Sequence, residues 1–349
     1  MSTRAVHAGG VQIGGGAPVT VQTMTNTDTR DVEATLAQIR RCAAAGAEIV
    51  RVSVYDEACA EAVRALVDGS PVPLVADIHY DYRLAIRAVE NGIAKVRINP
   101  GNIGGRENVL RLADCLKTHH VPVRIGVNSG SLEKEILNRH GGVTATGLVE
   151  SGMNHAHILE DAGFEDIVIS YKASNVPMMV QACRLAARMS DYPQHIGVTE
   201  SGTAEDGTVK SAIGIGALLL DGIGDTIRVS LSAEPEREVE AALSILRAVG
   251  LRKDYVEIIA CPTCGRACIE VEEIARRVRR ETQDIKKPIK VAVMGCVVNG
   301  PGEAREADIG IAGGKDGGAL FVKGAKPRAV HGDLGQILID EIRRTAERA

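Results

Sequence analysis

Four cysteines near the C-terminal end of the sequence have types and spacing that could do chemistry. Cys261, Cys264 and Cys268 fall within the segment CPTCGRAC, and Cys296 opens the segment CVVNGPGE. A C-x-x-C spacing lets two thiolates from one tight loop reach a single metal ion or cluster. The second loop, rich in glycine and proline, also carries Glu303. The two loops together therefore predict a site that binds a metal or a cluster.

Three kinds of site remain open on spacing alone. A structural zinc ion takes four ligands, which the four thiols could supply, although the sequence has one C-x-x-C pair instead of two. A [4Fe–4S] cluster can be held by three thiolates and a different fourth ligand. A thioredoxin-like redox pair would use Cys261 and Cys264 alone, but the βαβ context expected of such a pair is missing.

The other four cysteines lie in predicted helices of the first 250 residues. Free cysteine is among the residue types most often buried, and it packs as a small apolar side chain. We therefore predict core positions for Cys42, Cys59, Cys115 and Cys183.

A second group of reactive side chains follows the β-branched runs of the first 250 residues. Within each run the polar residues are separated by an even number, which places them on the same face of a strand. They are Arg51 and Ser53, Asp77 and His79, Arg97 and Asn99, Arg124 and Asn128, Ser170 and Lys172, Glu200, and Arg228 and Ser230.

If these faces point inward, five Lys and Arg side chains converge against only Asp77 and Glu200. A multiply charged anion such as a diphosphate suits such a site, because guanidinium groups grip phosphate oxygens in bidentate fashion. The alternative is that each Arg points outward or pairs with a carboxylate of a neighbouring helix. His79 could equally be a structural histidine. The turn PGNIGG offers only a weak phosphate-binding signal.

Eight strand-like runs alternate with amphipathic helical segments between residues 19 and 250. This alternation predicts a (β/α)8 TIM barrel, with an open doubly wound sheet as the competing arrangement. Active sites of such barrels lie at the C-terminal ends of the strands, where the polar residues fall. The glycine-rich start HAGGVQIGGGAP is expected to form a hairpin that closes the floor of the barrel.

The alternation stops near residue 250, which predicts two domains, 1–250 and 251–349. The second reads as a small α+β domain: a strand YVEIIA, the cysteine loop, a helix, a strand KVAVMG, two short strands, and a last helix from Leu334. We expect the barrel to bind the substrate and the second domain to hold the cysteine site.

Composition excludes several classes of function. A net charge of −4 gives no overall attraction to nucleic acid or anionic membranes, and 2% aromatic residues cannot form base-stacking platforms. The most apolar run, 213–220, is too short to span a bilayer, and no export signal is evident. We therefore expect a cytoplasmic protein with reduced thiols.

Seven segments carry a resemblance to a known family over nearly the whole chain. They are VQTMTNTDT, ADIHYDYRLA, KVRINPGNIG, VRIGVNSGSLE, DTIRVSL, CPTCGR and GCVVNGPGEA. On these motifs the sequence resembles the 4-hydroxy-3-methylbut-2-enyl diphosphate synthases, in their short bacterial form. The resemblance implies an iron–sulfur oxidoreductase of the methylerythritol phosphate route to isoprenoids. Its reaction would be reductive ring opening and dehydroxylation of 2-C-methyl-D-erythritol 2,4-cyclodiphosphate.

The resemblance also implies a cofactor, partners and residue roles. A [4Fe–4S] cluster would be held by Cys261, Cys264, Cys296 and an exchangeable Glu303, with Cys268 outside the ligand set. Flavodoxin or ferredoxin would deliver two single electrons, and a head-to-tail homodimer would complete each site. Substrate binding would fall to Arg51, Arg97, Arg124, Asn128, Lys172, Arg228 and Ser230. Glu303 is the first candidate for proton donor, with Asp77, His79 and Glu200 as lesser ones.

A different class of function stays open beside the resemblance. Without a cluster, the barrel would be a phosphate-binding enzyme similar to an aldolase or a pterin synthase, with a zinc-stabilised tail. Iron content separates the two interpretations, because only the first requires iron.

Overall fold

A computed structural model describes residues 3–100, 102–296, 302 and 306–348. The chain divides into two compact units, Met1–Leu251 and Arg252–Ala349. Within the described residues no helix is long and apolar enough to cross a membrane.

The first unit contains the predicted barrel of parallel strands. Its strands are β3 (Thr20–Met24), β4 (Ile49–Ser53), β5 (Leu74–Asp77), β6 (Lys95–Ile98), β7 (Val123–Asn128), β8 (Ile167–Lys172), β9 (His195–Ile196) and β10 (Thr226–Ile227). Neighbours run in the order β8-β7-β6-β5-β4-β3-β10-β9. A parallel bridge between Ile169 and Gln194 joins the two edge strands. The TIM barrel is therefore confirmed, and the open doubly wound alternative is wrong.

Helices follow the strands and cover the barrel. They are α1 (Val32–Ala45), α2 (Glu57–Gly69), α3 (Tyr82–Glu90), α4 (Arg106–His119), α5 (Lys134–His140), α6 (Ala145–Asp161), α7 (Val176–Met189), α8 (Ala204–Leu220) and α9 (Pro235–Ala248). Several begin at a capping side chain; Asp31 and Asp56, for example, accept bonds from backbone N–H groups of the first turn.

The four helical cysteines follow the prediction with one difference. Cys42, Cys59 and Cys183 are fully buried in the barrel core. Cys115 is only partly buried and packs against that core from its edge.

A two-stranded hairpin closes the floor of the barrel, as its glycine-rich sequence predicts. Strands β1 (Ala5–Ala8) and β2 (Val11–Gly14) pair antiparallel. Their apolar side chains, led by Val6 and Ile13, form one buried cluster with inward residues of three barrel strands, Ile49, Val75 and Val168. These contacts also show which face of each strand points into the barrel.

The second unit contains a mixed sheet and the helices α10 (Val271–Glu281) and α11 (Leu334–Arg348). Its strands are β11 (Val256–Ala260), β12 (Ile289–Met294), β13 (Ile309–Gly314), β14 (Gly317–Val322) and β15 (Arg328–Val330). The first three strands are parallel and the last two antiparallel. Val278 of α10 and Leu338 of α11 are fully buried in one cluster with Val291 and Ile311 of the sheet. The strand β15 was not predicted from the sequence.

Candidate active site

Strand register places the predicted polar residues on one inward face. Asp77 lies opposite Ser53 of β4 and Arg97 of β6, and Arg97 lies opposite Arg124 of β7. Residues opposite one another in a parallel sheet point to the same side. The inward orientation is fixed independently by Val75, which precedes Asp77 by two positions and contacts the floor hairpin.

Asp77 is the centre of a buried charge network. Its Oδ1 accepts a hydrogen bond from Arg97 Nη1 at 3.0 Å, and its Oδ2 lies 3.5 Å from Arg51 Nε and 3.5 Å from His79 Nε2. Burial alone would raise the pKa of Asp77, but Arg51, the His79 bond and Arg97 together hold it well below its usual range. Asp77 is therefore ionised and neutralises part of the surrounding positive charge.

Two more cations lie in the same interior with less compensation. The Arg124 Nη1 donates to Ser170 Oγ at 2.9 Å, and Lys172 is almost fully buried. Burial lowers the pKa of both groups well below their usual values, and the charges of Arg51 and Arg97 lower each further. Burial, with repulsion from Arg228 and Arg97, lowers the pKa of Arg51 to about 10, although Asp77 opposes these effects. The site therefore carries excess positive charge in a confined space.

Gly126 provides the space that Arg97 occupies. A Cβ at this position would lie 2.4 Å from Arg97 Nε, so a larger residue would displace the guanidinium group. The Gly126 carbonyl also accepts a bond from Arg97 Nη2 at 3.2 Å. The backbone of β7 thus fixes the orientation of Arg97 from the side opposite Asp77.

Arg228 differs from the other predicted cations, because it pairs with a helix carboxylate. Its Nε and Nη2 each lie 3.2 Å from a carboxylate oxygen of Glu238 on α9. Glu238 also accepts from Thr23 Oγ1 at 2.9 Å and from the Leu231 backbone N–H at 3.0 Å. The alternative of a paired arginine is therefore correct at this position. Sequence reasoning missed Glu238, since nothing in its helix marks it as a partner.

The last two barrel strands are shorter than predicted, which corrects three placements. Strands β9 and β10 end at Ile196 and Ile227, so Glu200, Arg228 and Ser230 lie beyond them. The backbones approach closely here: a Cβ on Gly197 would lie 2.3 Å from the Arg228 carbonyl oxygen.

Glu200 does not join the buried group. It is exposed and has a φ of +52°, and the described residues show no ion pair from it. The Ser230 carbonyl accepts a bond from the Ser201 hydroxyl, and Ser230 itself is half-buried.

The remaining predicted residues lie at the strand ends. Asn128 is half-buried opposite Lys172, and the Asn99 amide donates to Ser131 Oγ at 2.8 Å. His79 keeps 44% of its side chain exposed although it contacts Asp77. It is therefore a side chain of the Asp77 network that solvent and a ligand can reach.

In the second unit, the two cysteine loops leave the same edge of the sheet. Strands β11 and β12 are parallel neighbours with Ala260 opposite Val293, so Cys261 and Cys296 follow adjacent strand ends. The Gly295 N–H donates to Cys261 Sγ at 3.1 Å, and the Cys268 N–H donates to the Gly295 carbonyl at 2.7 Å. These two bonds hold the loops against each other.

The thiols at this edge are free, and three of the predicted ligands are described. Cys264 is exposed, and hydrogen bonds from Arg266 lower the pKa of its thiol. The predicted fourth ligand, Glu303, lies outside the described residues. Among the described residues no three His, Cys, Asp or Glu side chains are close enough to hold a metal ion. The fold thus places the thiols at one edge without gathering them into a coordination sphere.

Two family models cover most of the chain. The GcpE TIM-barrel domain matches residues 3–243, and the GcpE protein C-terminal domain matches residues 257–344. The chain belongs to the GcpE family. The gap between the two matches contains the division between the two compact units of this GcpE protein.

Three curated relatives of this GcpE protein are more than half identical to it. One from Caldanaerobacter subterraneus subsp. tengcongensis is 57% identical and covers 92% of this chain and 91% of its own. One from Clostridium acetobutylicum is 53% identical and covers 99% and 98%. One from Lawsonia intracellularis is 52% identical and covers 98% and 96%. All three are named 4-hydroxy-3-methylbut-2-en-1-yl diphosphate synthase (flavodoxin).

Solved structures match the GcpE barrel at the level of fold. Dihydropteroate synthase from Yersinia pestis has a TM-score of 0.52 at 14% identity and covers 71% of this chain and 98% of its own. N-acetylneuraminic acid synthetase from Leptospira borgpetersenii has a TM-score of 0.51 at 13% identity and covers 71% and 90%. Both likenesses concern the barrel architecture alone.

Sequence reasoning also missed polar residues deeper in the barrel. Gln22, Lys95 and His195 are at most 1% exposed, although none of them is apolar. The sequence did contain a sign of one inward residue. Lys95 precedes Arg97 by two positions and therefore lies on the same face of β6.

Proposed function

We propose that this GcpE-family protein converts 2-C-methyl-D-erythritol 2,4-cyclodiphosphate to 4-hydroxy-3-methylbut-2-enyl diphosphate by reductive ring opening and dehydroxylation. The protein is an oxidoreductase of isoprenoid precursor biosynthesis. One observation carries the proposal: Arg51, Arg97, Arg124 and Lys172 lie buried together around the carboxylate of Asp77. Such an excess of confined cations requires an anionic ligand, and a cyclic diphosphate supplies it.

The barrel residues bind the diphosphate and stabilise the charge that develops as the ring C–O bond breaks. Arg51 and Arg97 are held in place by Asp77, so little reorganisation is needed when the substrate enters. Arg124 and Lys172 have no carboxylate partner among the described residues and supply the uncompensated charge. Arg228, Asn128 and Ser230 contribute from the rim, with Arg228 oriented by Glu238.

The second unit holds the redox group. Three free thiols on two adjoining loops suit the donor set of an iron–sulfur cluster, and the Gly295 N–H already donates to Cys261 Sγ. We propose Cys261, Cys264, Cys296 and Glu303 as the residues that hold a [4Fe–4S] cluster. When bound, the cluster supplies single electrons to the substrate. Cys268 stays outside the set and serves through its backbone, which bonds to Gly295.

The barrel residues are not equal candidates for proton delivery. Asp77 is ionised and engaged by two arginines, so it positions its neighbours and donates no proton. Glu200 is exposed and unpaired among the described residues, which removes it from the buried network. His79 contacts Asp77 and remains accessible, so it is the barrel side chain best placed to donate a proton. Glu303 remains the candidate from the second unit.

Partners and location follow from the same proposal. Flavodoxin, which the names of the relatives include, or ferredoxin delivers the electrons. A head-to-tail homodimer supplies the barrel from one chain and the cluster from the other. Neither nucleic acid nor membrane is a partner, in line with the net charge of −4. Eight free cysteines are consistent with a reducing compartment, and we place the protein in the cytoplasm.

The test is turnover under anaerobic conditions. Protein reconstituted with iron and sulfide is mixed with the cyclic diphosphate and reduced flavodoxin, and the product is measured by mass spectrometry. We expect the allylic diphosphate and about four irons per chain. Stoichiometric zinc without iron, together with no product, would overturn the proposal in favour of a zinc-stabilised tail.

A further inference from the structure

A second polar layer lies inside the barrel, below the residues assigned to the substrate. Lys95 of β6 lies opposite Val75, one of the residues that contact the floor hairpin. On the other side of the barrel, Thr226 of β10 lies opposite both His195 of β9 and Thr20 of β3. Gln22 is two residues after Thr20 and therefore lies on the same face of β3. These residues therefore occupy the interior between the hydrophobic floor and the cationic mouth.

The layer is fully enclosed, yet much of its hydrogen-bonding capacity is unused. Lys95 and His195 are 0% exposed, and Gln22 and Arg124 are 1% exposed. Within the described part of the chain, no partner is found for Lys95 Nζ, His195 Nε2, both amide atoms of Gln22, or the Nε and Nη2 of Arg124. Buried polar groups are normally satisfied, so this many atoms without a protein partner indicate that a small polar or charged species is bound among them.

The charges in this layer all have the same sign. Lys95 experiences repulsion from Arg124 and Arg51, and His195 from Arg124, Lys172 and Lys95. Asp77, the carboxylate at the mouth above, is already engaged by two arginines and His79. Among the described residues, the unpaired donor hydrogens of Lys95, Gln22 and Arg124 also outnumber the nearby acceptors, which include the Gln22 carbonyl, the Thr20 hydroxyl and one ring nitrogen of His195. A ligand of this layer is therefore expected to be negative and to accept hydrogen bonds.

We propose that Gln22, Lys95 and His195, with Arg124 as the upper wall, bind one small inorganic anion of the size of chloride. The hairpin closes the site from below, so it lies on the side away from the mouth where the diphosphate is proposed to bind. The anion enters through the barrel mouth before the substrate does. The negative charge of the anion allows Lys95 to remain protonated. The anion also contacts the Arg124 guanidinium from below, while the Ser170 hydroxyl accepts a bond from Arg124 at its side.

The directions of the pKa shifts of Lys95 and His195 are consistent with an anion at this position. Burial and the neighbouring cations lower the pKa of Lys95 and of His195 well below the usual values when no anion is present. An anion within contact reverses that effect for Lys95 by direct attraction. The inference goes beyond the proposed reaction, because it concerns the barrel without substrate and does not require the cluster.

The direct test is a crystal of the wild-type protein grown in bromide instead of chloride. We expect an anomalous difference peak within hydrogen-bond reach of Lys95 Nζ, and we expect it to persist when inorganic pyrophosphate is added. A peak that pyrophosphate displaces would assign the position to the substrate site and overturn a separate anion site. A peak-free interior would overturn the proposal outright. Neither result depends on turnover, so failure here is distinct from failure of the proposed function.

A matched pair of variants gives a solution test. Replacing gluconate by chloride at constant ionic strength is expected to raise the Tm of the wild type by roughly 2–4 °C. Lys95→Met should abolish that rise, whereas Lys210→Met, at an exposed position of α8, should keep it. An equal rise in both variants would contradict the site. If Lys95→Met does not fold, the bromide crystal of the wild type still decides.

Discussion

The barrel mouth and the cysteine edge both lie at the C-terminal ends of parallel strands. They differ in how far the fold fixes their side chains before a ligand binds. In the mouth, Asp77 and the Gly126 backbone fix the guanidinium groups of Arg51 and Arg97 before any ligand is present. At the cysteine edge, Cys264 is exposed and the described thiols form no coordination sphere. The first site is preorganised by the fold, whereas in the proposed function the second is completed by the group it would bind.

This difference reflects the chemistry of the two ligands. A diphosphate is gripped by charges, and charges buried in a barrel must be held apart by rigid strands and partly neutralised. Thiolates bond directly to iron, so the metal itself fixes their final positions. The fold needs only to bring the two loops to one edge, which the parallel pairing of β11 and β12 does.

The largest effect is expected from removing a thiol at the cysteine edge. Cys264→Ala should reduce iron content and lower turnover to background, because the cluster loses a direct ligand. The matched control is Cys268→Ala, which removes a thiol four residues from the nearest proposed ligand, Cys264. It should retain both iron and turnover, because Cys268 serves through its backbone. Iron analysis and turnover measure the two outcomes. Equal loss in both variants would mean that Cys268 is a ligand.

In the barrel mouth, Arg124→Met should lower kcat by about 10²–10³-fold while iron content stays unchanged. The reason is the loss of a charge that stabilises the breaking C–O bond, without any change at the thiols. The exposed change Lys210→Met is the control and should leave turnover intact. A loss of iron in Arg124→Met would show that the barrel mouth also affects metal binding at the cysteine edge.

Asp77→Asn tests whether the mouth is held together by its carboxylate. Removing one partner of a buried charge network typically costs about 3–5 kcal/mol of unfolding free energy. Asp68→Asn breaks an exposed pair with Arg64 and should cost about 0–1 kcal/mol. Urea denaturation at neutral pH measures both. A similar loss of unfolding free energy in the two variants would show that Asp77 does not hold the charge network together.

The same carboxylate predicts a pH dependence. The folded pKa of Asp77 lies below its unfolded value of about 3.9, so its contribution to stability is full above that pH. The contribution is lost as the pH falls from there through the folded pKa. Wild type should therefore lose stability more steeply than Asp77→Asn below about pH 4. Parallel curves would contradict the assignment.

A smaller effect is expected in proton uptake. Burial and neighbouring cations hold the pKa of Lys172 below its usual range, and a bound diphosphate raises it again. Binding therefore takes up protons at pH values between the free and bound pKa, and affinity falls as the pH rises through that window. Calorimetry in two buffers of different ionisation enthalpy measures the uptake. Lys172→Met should reduce it, whereas Lys210→Met should not.

Much of this molecule could be predicted from the sequence, because its signals are local. Strand periodicity placed Arg51, Asp77, Arg97 and Arg124 on one face, and glycine-rich spacing predicted the floor hairpin. The partner of Arg228 could not be found in this way, since Glu238 comes from the face of a following helix. Glu200 was misplaced because strand propensity does not show where pairing stops.

The most direct measurement is binding of the cyclic diphosphate to the protein without electrons, by isothermal titration calorimetry on wild type, Cys264→Ala and Arg124→Met. In the proposed function the barrel binds the substrate and the second unit carries the redox chemistry. We therefore expect Cys264→Ala to bind with an affinity close to that of wild type and Arg124→Met to bind at least about tenfold more weakly. Unchanged binding in Arg124→Met would show that the buried cations do not hold the diphosphate.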